Sequence, residues 1–236
     1  RYYSGYDGGA LLKDSWFWMY PSENLDTEDY YDQECSWWHT DERGEVYRNR
    51  IRKINGRSYA FDGIGRMQTG FVLFDGKSEF VARYEVDDWS SEDFIEGTIY
   101  GIEKSDLYLF SPDELNDGSM QIGKDIAVEL EDGVFHFGFA SNGKAFGNRN
   151  RLQKKEGMYY INGLRLEADE EYGYGVVKVE DGADTYYQVV DTRGKVIEGK
   201  KKIVKDKEGG YLLIIRNRLV AWCGDEDKPR DRKSVV

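Results

Sequence analysis

Lys53-Ile54-Asn55-Gly56-Arg57-Ser58-Tyr59-Ala60-Phe61-Asp62-Gly63-Ile64-Gly65-Arg66-Met67-Gln68-Thr69-Gly70-Phe71 holds an aromatic strand, a glycine turn and a second apolar strand in one short span. Tyr59 and Phe61 alternate with Ser58 and Ala60, so both rings leave the same face of an extended segment. Gly65 follows as the turn residue. Met67 stands two positions later, and Gly70 adds a further residue that tolerates left-handed backbone. A short strand, a turn and a second short strand make a β-hairpin.

The same grammar recurs along the chain when segments are aligned on one glycine. The anchors are Gly8, Gly44, Gly65, Gly143 and Gly194, with Gly118 as a looser sixth. Two residues after them stand Ala10, Val46, Met67, Ala145, Val196 and Met120, which are expected to face inward. Five residues after them stand Lys13, Asn49, Gly70, Asn148, Gly199 and Gly123, where a second turn is expected. Aromatic or β-branched residues precede the anchors, as in Tyr2-Tyr3, Trp37-Trp38, Phe135-His136-Phe137 and Tyr186-Tyr187. The fold class is therefore all-β, a β-hairpin repeat solenoid in two segments, its anchors too unevenly spaced to be uninterrupted.

Two interruptions are expected, Pro21 to Glu34 and Lys77 to Asp106, the second with a helix start at Ser90-Ser91-Glu92-Asp93. They predict N-terminal hairpins over 1–76, an acidic linker over 77–106, C-terminal hairpins over 107–224 and a charged tail over 225–236. Ile126 to Leu130, Gly175 to Val179 and Tyr211 to Ile215 read as longer strands. No long amphipathic helix is expected.

Composition suits this thin architecture. Of the 236 residues only 39% are apolar, yet 15% are aromatic, so stacked hairpins can bury rings locally without one thick aliphatic core. A formal charge of −12 excludes a nucleic-acid binder, since Arg48 to Lys53 and Lys200 to Lys207 are too short to make a basic stripe. No apolar run is long enough to span a bilayer. Arg1 falls inside what reads as a repeat, and the chain is expected to be a piece of a longer protein. Cys35 and Cys223 are far apart in sequence and are either paired or free.

The stretch 53–71 resembles the cell-wall-binding repeat shared by choline-binding proteins, glucan-binding proteins and the repetitive domains of large clostridial toxins. The segment Ser111 to Gly123 is similar to variant repeats of cell-wall-binding proteins from anaerobic Gram-positive bacteria. The resemblance implies a secreted, cell-wall-associated, non-catalytic module that attaches a larger protein to a wall polymer or other glycan. The alternative is a structural spacer or surface interaction domain whose repeats have lost their ligand sites. The repeats are degenerate: Ser58 and Ala60 stand where the family carries aromatic residues, and Phe71 where it carries the closing Trp. A quaternary ammonium is held by several ring faces at once, so choline is not expected to bind.

Candidate ligand residues are the rings left in the N-terminal part, Trp16, Trp18, Trp37, Trp38 and Tyr59, on which a sugar could stack. No catalytic residue, metal ligand or cofactor is nominated. His39 and His136 read as strand residues, no nucleophile elbow or zinc pair occurs, and Asp113 to Gly118 fails as a calcium loop because Leu115 takes an oxygen-ligand position. Oligomeric state is not legible.

Overall fold

The structure is a computed structural model and describes residues 10–21, 34–112 and 117–224. The expectations for Gly8, for most of Pro21 to Glu34, for Asp113 to Asn116 and for the tail 225–236 lie outside the described residues. What is described is almost entirely antiparallel hairpins, as expected.

The chain forms two compact units, one up to Ala145 and one from Phe146. In the first, β1 (Trp16–Met19) pairs with β2 (Ser36–His39). Next, β3 (Arg50–Ile54) pairs with β4 (Arg57–Phe61), and β4 with β5 (Met67–Gln68). Strand β6 (Gly70–Asp75) lies between β7 (Phe80–Tyr84) and β8 (Ser105–Phe110), and β9 (Gly123–Leu130) pairs with β10 (Gly133–Phe139). The second unit holds β11 (Gln153–Lys155), β12 (Met158–Ile161) and β13 (Leu164–Arg165), then the hairpin β14 (Tyr174–Asp181) with β15 (Asp184–Asp191). It ends in the meander β16 (Lys201–Lys205), β17 (Tyr211–Ile215) and β18 (Arg218–Cys223).

All five anchors within the described residues close hairpins. Across them Thr40 pairs with Val46, Phe61 with Met67, Phe110 with Met120, Phe139 with Ala145 and Val190 with Val196. Val46, Met67 and Val196 are buried, whereas Met120 and Ala145 are half-buried and Ala10 is exposed. The anchors also join one repeat to the last. A Cβ on Gly65 would meet Val46 Cγ1 at 2.6 Å, one on Gly118 would meet Met67 Cε at 2.5 Å, and one on Gly143 would strike Met120. Each of these three anchors thus abuts the residue two places after the preceding anchor, whereas Gly44 lies against Leu11 and Gly194 against Arg165. This nearest-neighbour contact is how a solenoid propagates.

The turns have a second component that glycine spacing alone does not reveal. An aspartate stands three residues before Gly44, Gly65 and Gly194, and its carboxylate accepts backbone N–H bonds from the turn: Asp41 from Arg43 and Glu45, Asp62 from Ile64, Gly65 and Arg66, Asp191 from Arg193 and Lys195. Asp75 does the same for Lys77 and Glu79, with Ser78 in the glycine's place at φ 66°. These hydrogen bonds favour the ionised form. The backbone N–H groups of Glu79 and Glu45 hold the Asp75 and Asp41 carboxyls below the ordinary carboxylate range.

The second turns follow the expected positions only in part. Asn49, Gly70 and Gly123 have positive φ, but near the fourth anchor the left-handed residue is Gly147 rather than Asn148. Gly199 and Lys13 do not take it, and Asp14 does. Asn55-Gly56, with φ 49° and 88°, turns β3 into β4 as a two-residue hairpin loop of the primed kind.

Residues 77–106 hold a helix, α1 (Ser91–Glu96), entered where expected: the Ser90 N–H and Oγ both donate to Asp93 Oδ2, at 3.0 and 2.7 Å. Its fully buried Phe94 packs 5.0 Å from both Phe71 and Phe137. The helix does not separate two groups of repeats, because β6 pairs with β7 before it and with β8 after it. The units divide after Ala145 instead.

Burial is two-sided at the hairpin β3–β4. Tyr59 and Phe61 pack with Ile54 and Met67 on one face, and Ala60 packs with Val72, Phe74, Tyr108 and Phe110 on the other. In the second unit, Tyr159 donates to Gln188 Oε1 at 2.7 Å in a buried hydrogen bond, and Gln188 Nε2 donates to the Asn217 carbonyl at 2.7 Å in a partly buried one, linking three hairpins. Burial, the main cause, pushes the Tyr159 phenol up to about 12.

Candidate functional site

Alternation along β1 and β2 sorts the N-terminal rings before any packing is considered. Trp16 lies opposite His39 and Trp18 opposite Trp37, which places these four side chains on one face, with Phe17 and Trp38 on the other. The second face is core. Trp38 is fully buried, stacks on Phe17 at 6.4 Å and 10°, and donates its Nε1–H to the Met19 carbonyl at 3.0 Å. Tyr59 is 8% exposed and also belongs to the core. Of the five expected ligand rings, Trp38 and Tyr59 are thus covered, because neighbouring hairpins lie on them.

The remaining three are brought together. Trp16, half-buried, is the hub: its ring meets Tyr59 at 4.9 Å, His39 at 4.8 Å and Trp37 edge-on at 6.4 Å, and stacks against Phe61 at 6.0 Å. Trp37, half-buried, carries Trp18 at 5.3 Å. Trp18 is 46% exposed and Tyr20 just beyond it 55%. The result is a graded surface, rigid at Trp16 and open at Trp18. Arg52 lies 5.1 Å over the Tyr47 ring at the flank of this cluster.

Beneath the rings lies His39, which is 1% exposed and sits between Trp16 and the stacked ring of Tyr47, 5.4 Å away. Its Nδ1 has no hydrogen-bond partner, and Asp14 is 4.0 Å from Nε2. Burial lowers its pKa below the ordinary histidine value and outweighs the opposing effects of Asp14 and of the Thr40 backbone. The folded chain therefore binds this proton less readily than the unfolded chain. Stability is unaffected by His39 well above pH 6.5 and falls as the pH drops through that value, by at most about 1.4 kcal/mol per pH unit. Urea unfolding followed by tryptophan fluorescence at pH 7.5 and 5.5 is expected to show a larger acid loss in the wild type than in His39→Leu. An equal loss in both would rule out His39 as the source.

Sequence reasoning did not find Trp222, the most exposed tryptophan of those described at 66%, on β18 of the second unit. Its signal was present as the alternation of Arg218, Val220 and Trp222, all exposed, with Leu219, Ala221 and Cys223. Both cysteines are free thiols. Among the described residues no group of three or more His, Cys, Asp or Glu could hold a metal ion, and no helix is long and apolar enough to cross a membrane.

No family model matches the chain, and no curated protein matches it. Solved structures do. CbpF in complex with ipratropium shares the fold at a TM-score of 0.50 and 15% identity, over 93% of this chain and 56% of that one. Choline binding protein F from Streptococcus pneumoniae gives 0.48, and the same protein in the presence of a peptidoglycan analogue 0.47, each at 15% identity over 93% of this chain and 54% of that one. The chain thus spans little more than half the length of these proteins.

Proposed function

We propose that this chain is a non-catalytic module that attaches a larger secreted protein to a cell-wall polymer or other extracellular glycan. The observation that carries the reading is the open platform of Trp18 and Trp37, braced from below by Trp16 on a hairpin whose other face is locked into the core by Trp38. A sugar ring offers an apolar face, and an indole held in place can meet it with little loss of side-chain freedom. The likeness to CbpF supports the reading at the level of the fold.

The platform does not make a cage. A cation held by rings sits within about 6 Å of each centroid with the faces turned towards it. Here the indoles touch each other instead, with Trp16 edge-on to Trp37, so no gap between ring faces is left for a trimethylammonium group.

Sedimentation with purified Gram-positive cell walls and a glycan array test the proposal together. The wild type is expected to bind, and Trp18→Ala to bind roughly tenfold more weakly, about 1.4 kcal/mol. Its stability should change by less than about 1 kcal/mol, because the ring is half in solvent. Millimolar choline is expected neither to quench the tryptophans nor to release the protein. Saturable quenching by choline that Trp37→Ala abolishes would replace the glycan with choline as the ligand. Failure to bind any wall or glycan would leave the spacer reading.

A further inference from the structure

We propose that a polar pocket beside the β1–β2 hairpin is a second carbohydrate subsite, taking one neutral hexose or N-acetylhexosamine unit. The proposal rests on the glycan-binding reading above and adds a site to it. The pocket has a volume of about 380 Å³, within the range of small-ligand sites. It opens between the start of β2, the turn into β5 and strand β7. Ser36, which lines it, alternates with Trp37 along β2 and so faces away from the indole platform.

Two carboxylate–guanidinium pairs are fixed in the pocket wall. Asp62, 4% exposed, accepts Arg66 Nε at 2.8 Å and Gln68 Nε2 at 3.0 Å, in addition to the three backbone N–H groups of its own turn. Arg83 donates from Nε to the Thr69 carbonyl at 3.0 Å and from Nη2 to Thr69 Oγ1 at 3.2 Å, and pairs with Glu85 at 2.5 Å. Thr69 and Gln68 are themselves buried, so donors and acceptors along the wall are positioned before any ligand arrives.

This lining selects by chemistry. Three carboxylates, of Glu34, Asp62 and Glu85, face two guanidiniums, of Arg66 and Arg83, which leaves an excess of one negative charge. A polyanion gains no field there. A quaternary cation finds a single ring, Phe80, and an apolar ligand would strip water from the wall groups without replacing their hydrogen bonds. A neutral polyol satisfies the site. Its hydroxyls donate to the open carboxylates of Glu34 and Glu85 and accept from guanidinium N–H groups, charge-assisted bonds stronger than neutral ones.

Cys35 also lines the pocket and reports on it, while Cys223, on β18 in the other unit, serves as an internal control. The experiment follows iodoacetamide labelling of both thiols in the whole chain by peptide mass, with cellotetraose or chitotetraose as the added sugar. At least one sugar is expected to slow labelling of Cys35 several-fold and saturably without affecting Cys223. Arg83→Met and Glu85→Gln should each weaken that protection roughly tenfold, whereas Trp18→Ala should leave it intact. Glu85 is half-exposed, so Glu85→Gln keeps the test valid should Arg83→Met fail to fold. Saturation of the tryptophan signal with no protection of Cys35 would overturn the subsite and leave the platform standing. Protection that survives both pocket substitutions would also overturn it. The absence of both signals would sink the subsite together with glycan binding.

Discussion

Replacing Gly65 by alanine is expected to cost about 3 kcal/mol, the sum of roughly 1–2 for left-handed backbone and 1–3 for overpacking. Gly65 has φ 115°, and its added Cβ would lie 2.6 Å from Val46 Cγ1, 2.9 Å from the Tyr47 carbonyl and 3.4 Å from the Trp38 ring. None of these neighbours can retreat cheaply. Val46 is locked in its bridge to Thr40 and Trp38 is wholly buried, so relief requires the two repeats to part. Gly56→Ala is the control, because its φ is 88° but nothing lies within 4 Å of the new methyl group; it should cost about 1–2 kcal/mol, the backbone component alone. Urea unfolding read by tryptophan emission measures the difference cleanly. Five of the six tryptophans lie in the unit that ends at Ala145, so the signal reports that unit. Equal losses for the two variants would mean that the anchor glycines serve only their turns and do not join repeats.

This double demand explains why the hairpins could be read from glycine spacing. A position that needs both positive φ and the absence of a Cβ admits one residue type, so it marks the sequence even where the surrounding aromatics have drifted. Ser90 was legible for a similar reason, since a helix start with an acidic residue three places on has a defined chemistry. Burial was less legible. Alternation puts Trp37 and Trp38 on opposite faces, but only the positions of Phe17 and of the next hairpin decide which ring is covered. Ala60 likewise suggests an open face, yet its small side chain is what lets Val72 and Phe110 close upon it. That the acidic stretch does not divide the chain left no mark in composition, because it is set by the pairing of β6 with strands on both sides of the helix and not by the helix itself. Most hidden of all was Asp62, since aspartate is common in turns of every kind and nothing local says that this one is buried.

Asp62→Ala is expected to destabilise the first unit by about 3–4 kcal/mol, in the range for removing one partner of a buried charged network. The carboxylate is 4% exposed and accepts five hydrogen bonds: the N–H groups of Ile64, Gly65 and Arg66 on Oδ1, and Arg66 Nε and Gln68 Nε2 on Oδ2. Alanine removes every acceptor at once. The Gly65 N–H is left facing a gap, and the Arg66 guanidinium loses its carboxylate at a position where its side chain is only 27% exposed. Asp62→Asn separates turn closure from charge pairing. Its amide oxygen can still take the three backbone N–H bonds, but its NH₂ group faces the donors of Arg66 and Gln68. A loss of about 1–2 kcal/mol is expected, roughly one charge-assisted hydrogen bond. Asp41 supplies the comparison within the same unit: it closes the equivalent turn at Gly44 by accepting from Arg43 and Glu45, but its bonds are exposed. Asp41→Ala should therefore cost no more than about 1 kcal/mol, because water takes over the freed N–H groups. The order Asp62→Ala, then Asp62→Asn, then Asp41→Ala, measured by urea unfolding, is the expected result. If Asp41→Ala proves as costly as Asp62→Ala, the carboxylates act through turn geometry alone, and the pairing of Asp62 with Arg66 and Gln68 contributes nothing to holding the pocket wall in place.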